Sequence, residues 1–83
     1  MDKIIVNLNI PAIAQQYDMS IPVSISIGDL TELIVRAVKE ITNNFYVSSG
    51  NEFLCLKERN IILAQEATVQ TYVIQNGDHI ILI

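Results

Sequence analysis

The strongest constraint on this chain is the stretch from Ser26 to Thr42, in which Ile27, Leu30, Ile34, Val38 and Ile41 recur at steps of three and four. That spacing places them on one face of an α-helix, with Leu33 and Ala37 widening the stripe. Thr31, Glu32, Arg36, Lys39 and Glu40 fall on the other side. Ser26 is the expected N-cap, its hydroxyl accepting an orphaned backbone N–H, and Asp29 sets negative charge against the positive end of the helix dipole. Lys39 lies near the last turn, and Asn43-Asn44 supplies residues that tolerate the left-handed conformation at which helices end. No other segment reads as well as a helix. An apolar face this broad needs a sheet to cover it, and the sequence on both sides reads as strands.

Before the helix, Ile4, Val6, Leu8 and Ile10 alternate with Lys3, Ile5, Asn7 and Asn9. Such alternation marks a half-buried strand. Pro11 has no N–H to donate and ends the ladder. The tip from Ile10 to Ala14 is unusually apolar, and it either folds back over the core edge or offers a contact. A second strand follows over Gln16 to Ile21, with Tyr17, Met19 and Ile21 inward, and Pro22 stops it. After the helix, residues 45–51 read as irregular chain with a turn at Ser49-Gly50. A third strand spans Glu52 to Lys57, and after a tight turn at Glu58-Arg59-Asn60 a short fourth strand occupies Ile61 to Leu63. A longer connection carries Val69, Tyr72 and Ile74. Asn76-Gly77-Asp78 is a turn signal, because glycine supports positive φ, and His79 to Ile83 forms a fifth strand. The expected architecture is therefore α+β, in the order β-β-α-β-β-β, as one domain over residues 1–83. This is the β-grasp order, a mixed sheet wrapped on one helix, with the first and last strands parallel in its middle.

Tyr17-Asp18-Met19-Ser20-Ile21-Pro22, then Ile27 and Leu30 at the helix entry, then Tyr72-Val73-Ile74-Gln75-Asn76-Gly77-Asp78 before a final apolar strand form a recognisable series. With the length and the abrupt C-terminus, it resembles the bacterial ubiquitin-like proteins of the YukD/EsaB type. The resemblance implies a small cytoplasmic accessory factor of type VII (WXG-type substrate) secretion in Gram-positive bacteria. It also implies kinship with domains fused to membrane components of such systems. Conjugated ubiquitin-like modifiers and their sulfur-carrier relatives need a flexible tail ending in Gly-Gly. Here Gly28, Gly50 and Gly77 all lie away from the final Ile80-Ile81-Leu82-Ile83, so the expectation is a module that is not conjugated.

Composition narrows the partners. The net charge is −4 and the five Lys and Arg residues are scattered, whereas nucleic-acid binding needs clustered positive charge. No apolar run approaches the roughly 18 residues of a membrane span, and the start at Met1-Asp2-Lys3 runs directly into a strand, so neither membrane insertion nor a signal peptide is expected. A lone cysteine fits a reducing compartment. Cys55 and His79 are the only Cys and His. A pair without an orienting third group and an oxyanion site is not a catalytic constellation, and two soft ligands fall short of a metal site. The expectation is no enzyme activity, no cofactor and no metal.

Binding to other proteins remains, and strand parity says where. If Ile4, Val6, Leu8, Ile80 and Leu82 face the helix, then Ile5, His79, Ile81 and Ile83 face away. With Leu54 and Leu56 inward, Phe53 and Cys55 turn outward; a slip of one residue would exchange the two faces and bury them. The candidate surface is Ile5, Phe53, Cys55, His79 and Ile81, with Ile5 and Ile81 expected to touch on adjacent central strands. Its occupant is either a component of a secretion apparatus or, for a generic scaffold module unrelated to secretion, a second copy of the chain.

Overall fold

The computed structural model describes residues 2–83. Strands β1 (Lys3–Ile10) and β2 (Gln15–Pro22) form an antiparallel hairpin, followed by helix α1 (Ile27–Ile41), the short strands β3 (Leu54–Leu56) and β4 (Ile61–Ile62), and β5 (His79–Leu82). Their order in the sheet is β2-β1-β5-β3-β4, with β1 and β5 parallel at its centre and the other pairs antiparallel. This is the β-grasp topology expected from the element order.

One face of the sheet and the apolar stripe of α1 close on a single core. Val6, Leu8 and Ile10 come from β1, Ile21 from β2, Leu54 and Leu56 from β3, and Ile80 and Leu82 from β5, and they meet Ile27, Leu30, Ile34 and Val38. Ser26 caps the helix as its sequence position requires, its Oγ accepting the Asp29 N–H at 3.1 Å. Asn43 and Asn44 both take positive φ just past the C-terminus. Three helix positions depart from the periodic reading: Thr31, Ile41 and Leu33, which lies at the edge of the stripe and is exposed. Thr31 is buried, its hydroxyl donating to the Ile27 carbonyl at 2.8 Å. The segment Gln65–Ala67 lies over the first turn, where its carbonyls accept the N–H groups of Ile27 and Gly28, and this closes a side that periodicity assigns to solvent. Ile41, by contrast, is 54% exposed, because the last turn runs beyond the covered core, whose helix residues stop at Val38.

Connections are tied down by side chains. The β1–β2 tip is a 3₁₀ turn over Pro11–Ile13 closed by Ala14 at φ 53°; Ile13 packs on the core edge while Pro11, Ala12 and Ala14 stay exposed. Between α1 and β3, the Glu52 carboxylate accepts from the Tyr46 hydroxyl (2.9 Å), the Ser48 hydroxyl (2.6 Å) and the Ser49 N–H (3.0 Å). Burial, together with the hydrogen bond to Glu52 and its charge, pushes the Tyr46 phenol up to about 12. Burial disfavours the Glu52 anion, but its three donors outweigh that and hold its carboxyl below the ordinary value. Gly77, at φ 88°, makes the turn before β5, and that turn docks on β1: Asn76 Oδ1 accepts the Ile5 N–H at 2.7 Å and Gly77 N–H donates to the Ile5 carbonyl at 2.8 Å.

Candidate protein-interaction face

The sheet face turned away from α1 is shaped by the parity of β3. Leu54 and Leu56 are fully buried, so Phe53 and Cys55 point outward as expected. Cys55 stands directly opposite Ile81 on β5 and Ile62 on β4. Facing residues of paired strands lie about 5 Å apart at Cβ, so Ile62, Cys55 and Ile81 make one apolar rung, continued by Asn9 of β1, the parallel partner of Ile81. The next rung pairs Phe53 with Ile83, whose backbones exchange hydrogen bonds of 2.7 and 3.0 Å beyond the formal end of each strand. Ile62 (61%), Ile83 (55%) and Phe53 (47%) are the most exposed of the five, with Cys55 and Ile81 half-buried between them.

The polar border of this patch is His79. Its backbone N–H donates to both oxygens of the Glu58 carboxylate (2.9 and 3.1 Å), and its Nδ1 meets the same group. Burial works against the Glu58 anion, yet the hydrogen bonds from His79 prevail and hold the Glu58 carboxyl below its usual value. Lys57 N–H donates to the His79 carbonyl at 3.0 Å, carrying the β3–β5 pairing one rung further.

Of the five residues expected from sequence, the fold thus brings together Phe53, Cys55, His79 and Ile81. Ile5 faces the same way and is 56% exposed, but it does not touch Ile81. The parallel register sets Ile81 beside Asn9, and the Gly77 turn beside Ile5. Four residues along β1 separate Ile5 from the Ile81 rung by about 13 Å at the rise of a strand. Ile62 was missed by the sequence reading: in the run Ile61-Ile62-Leu63 nothing alternates, and only the pairing across the Glu58–Asn60 turn reveals which isoleucine faces out.

A groove of about 600 Å³ runs along the outer side of α1 against residues 48–52. Asp29, Glu32 and Glu52 line it together with Arg36 and Lys39, so it presents both signs of charge.

Comparison with known proteins gives a family match for the chain and solved structures of the same fold. Residues 5–82 match the family described as WXG100 protein secretion system (Wss), protein YukD. No curated protein matches the chain. Among solved structures, the ubiquitin-like domain of EccD5 from Mycobacterium xenopi is similar at a TM-score of 0.82 and 12% identity, over 100% of this chain and 94% of that one. A chain of the MycP5-free ESX-5 inner membrane complex is similar at a TM-score of 0.83 and 12% identity, with 100% of this chain covered and 21% of that chain. The ubiquitin-like domain of an Arabidopsis thaliana protein is similar at a TM-score of 0.74 and 18% identity, over 100% of this chain and 78% of that one. At these identities the structural likeness establishes the ubiquitin-like fold.

Proposed function

Because the chain belongs to the YukD family of WXG100 secretion proteins, we propose that it is a non-catalytic, cytoplasmic accessory factor of a type VII secretion system. It binds a protein component of that apparatus through the outer face of its sheet. The observation that carries this reading is the pair of apolar rungs, Ile62–Cys55–Ile81 and Phe53–Ile83, left in water on a sheet whose other face is filled. Contiguous exposed apolar area of this kind marks contact sites, and its burial contributes about 25 cal/mol per Å² before the costs of association. The His79–Glu58 pair at its border supplies the polar rim of an interface. Cys55 and His79 serve this surface as an apolar filler and a rim group, with the His79 ring already engaged by Glu58.

The test is binding to purified cytosolic components of a type VII apparatus, measured by calorimetry with Ile62→Asp and Ile81→Asp. Both side chains lie off the core, so the variants keep the fold. Binding should be lost in both and retained in Thr71→Asp, at an exposed position outside the sheet. Charged variants that bind as well as wild type would refute the assignment of this face.

A further inference from the structure

Strand β2 is one edge of the sheet and is eight residues long. On β1, Ile5 and Asn7 direct their backbone groups toward β5 and its preceding turn: Gly77 N–H reaches the Ile5 carbonyl, and Asn7 N–H reaches the Asp78 carbonyl. Val6 and Leu8 therefore serve β2, through Met19 and Tyr17. In an antiparallel ladder the alternate residues of β2 then face outward. The backbone N–H and C=O groups of Gln16, Asp18 and Ser20 point away from the sheet and meet no partner among the described residues.

Natural edges of this length are blunted by charged side chains, lysine above all, by an internal proline, by a bulge or by a covering loop. This one has no lysine and no proline between Gln16 and Ile21, its single charge there is Asp18, and its pairing with β1 runs without a bulge from Lys3↔Pro22 to Ile10↔Gln15. Tyr17 and Met19, on the core side, stay half-buried where a further strand would cover them.

We infer that this edge pairs antiparallel with β2 of a second copy of the chain, about a two-fold axis at Met19. The sequence of the strand is self-complementary in that register. Asp18, its one charged residue, stands opposite the partner's Ser20, whose hydroxyl donates to the carboxylate, and the contact repeats by symmetry. Proline at 22 falls on the last rung, where its missing N–H removes one bond at each end and leaves about six ladder hydrogen bonds. A two-fold axis at Asp18 would instead set the two carboxylates directly opposite, which is unfavourable. On the core side Met19 meets the partner's Met19, and Tyr17 meets the partner's Ile21. Two five-stranded sheets become one continuous sheet, and the outer face of each copy stays open. The inference is independent of which protein occupies that face.

Sedimentation velocity over a concentration series should show a monomer–dimer equilibrium. The outward amides of Asp18 and Ser20 should gain protection from hydrogen exchange as dimer accumulates. Ser20→Asp sets like charges opposite Asp18 twice per dimer and should raise the dissociation constant about three-fold or more; Ser20→Lys should lower it by a similar factor. Circular dichroism confirms that both variants fold. A chain that remains monomeric at millimolar concentration leaves the edge to an extended segment of another protein and overturns the inference. So do Asp18 and Ser20 amides that stay unprotected in a dimer, or two charge variants that move the dissociation constant in the same direction.

Discussion

Replacing Glu52 by Gln isolates the one polar cluster that holds the long connection between α1 and β3. Its carboxylate takes three donors on a single oxygen, from Tyr46, Ser48 and Ser49. Gln keeps an oxygen in place but removes the charge. Hydrogen bonds to charged groups contribute about 1.5–3 kcal/mol against about 0.5–1.5 for neutral ones, a difference of about 1–1.5 per bond, so three bonds lose about 3–4.5 kcal/mol before screening. Glu52 is part-exposed, and solvent screening reduces this to about 1–2 kcal/mol. At about 4–8 °C per kcal/mol for a domain of this size, the melting temperature should fall by roughly 5–15 °C. Tyr46 reports the same change. In the native protein its phenol is pushed up to about 12 by burial and by Glu52. A raised folded value favours the neutral phenol. Its contribution to stability is therefore complete below the unfolded tyrosine value of about 10 and is lost as pH rises through about 12. Ultraviolet titration should show Tyr46 ionising well above the unfolded tyrosine value of about 10, and Glu52→Gln should bring it down without fully normalising it, since burial remains. Ionisation of Tyr46 near the unfolded value of about 10, or an unchanged titration in Glu52→Gln, would refute the cluster as described.

Leu30→Ala, at a fully buried position facing the sheet, should cost about 2–5 kcal/mol in chemical denaturation; a loss below half of one kcal/mol would mean that the helix face is misplaced. Thr31→Ala should cost about 1 kcal/mol through lost burial and a lost hydroxyl bond, whereas Thr31 on an exposed face would give no measurable change. On the acid side, Glu58 and Glu52 both have depressed folded values. Their contribution is present above the unfolded glutamate value and is lost as pH falls through the folded ones, so Glu58→Gln should flatten the acid limb of the stability profile.

The elements were legible because each has a local cause. Alternation along Lys3–Ile10, the three-and-four spacing from Ile27 to Val38, and the Asn76-Gly77 turn all follow from nearest neighbours in the chain. What escaped is non-local. Periodicity assigns Thr31 to solvent, but the segment Gln65–Ala67 crosses the first helical turn and buries that side. Parity correctly gives the face on which Ile5 and Ile81 lie, yet it carries no information on the register of two parallel strands separated by most of the chain. That register is set where the Asn76–Gly77 turn docks on Ile5, and it moves Ile81 up to Asn9. Ile62 joins the patch for the same reason, through its pairing with Cys55. Strand β3 is shorter than the six residues expected, although Phe53 and Lys57 still hydrogen-bond to β5 and its end on either side.

The most direct test of the central claim is chemical-shift mapping of the isotopically labelled chain titrated with cytosolic components of a type VII secretion apparatus. The account predicts perturbations concentrated on Phe53, Cys55, Ile62, Ile81 and Ile83, with His79 and Glu58 at the margin and Ile5 affected little or not at all. Perturbations centred on the outer side of α1, at Glu32, Arg36 and Lys39, with the five sheet residues unmoved, would contradict it.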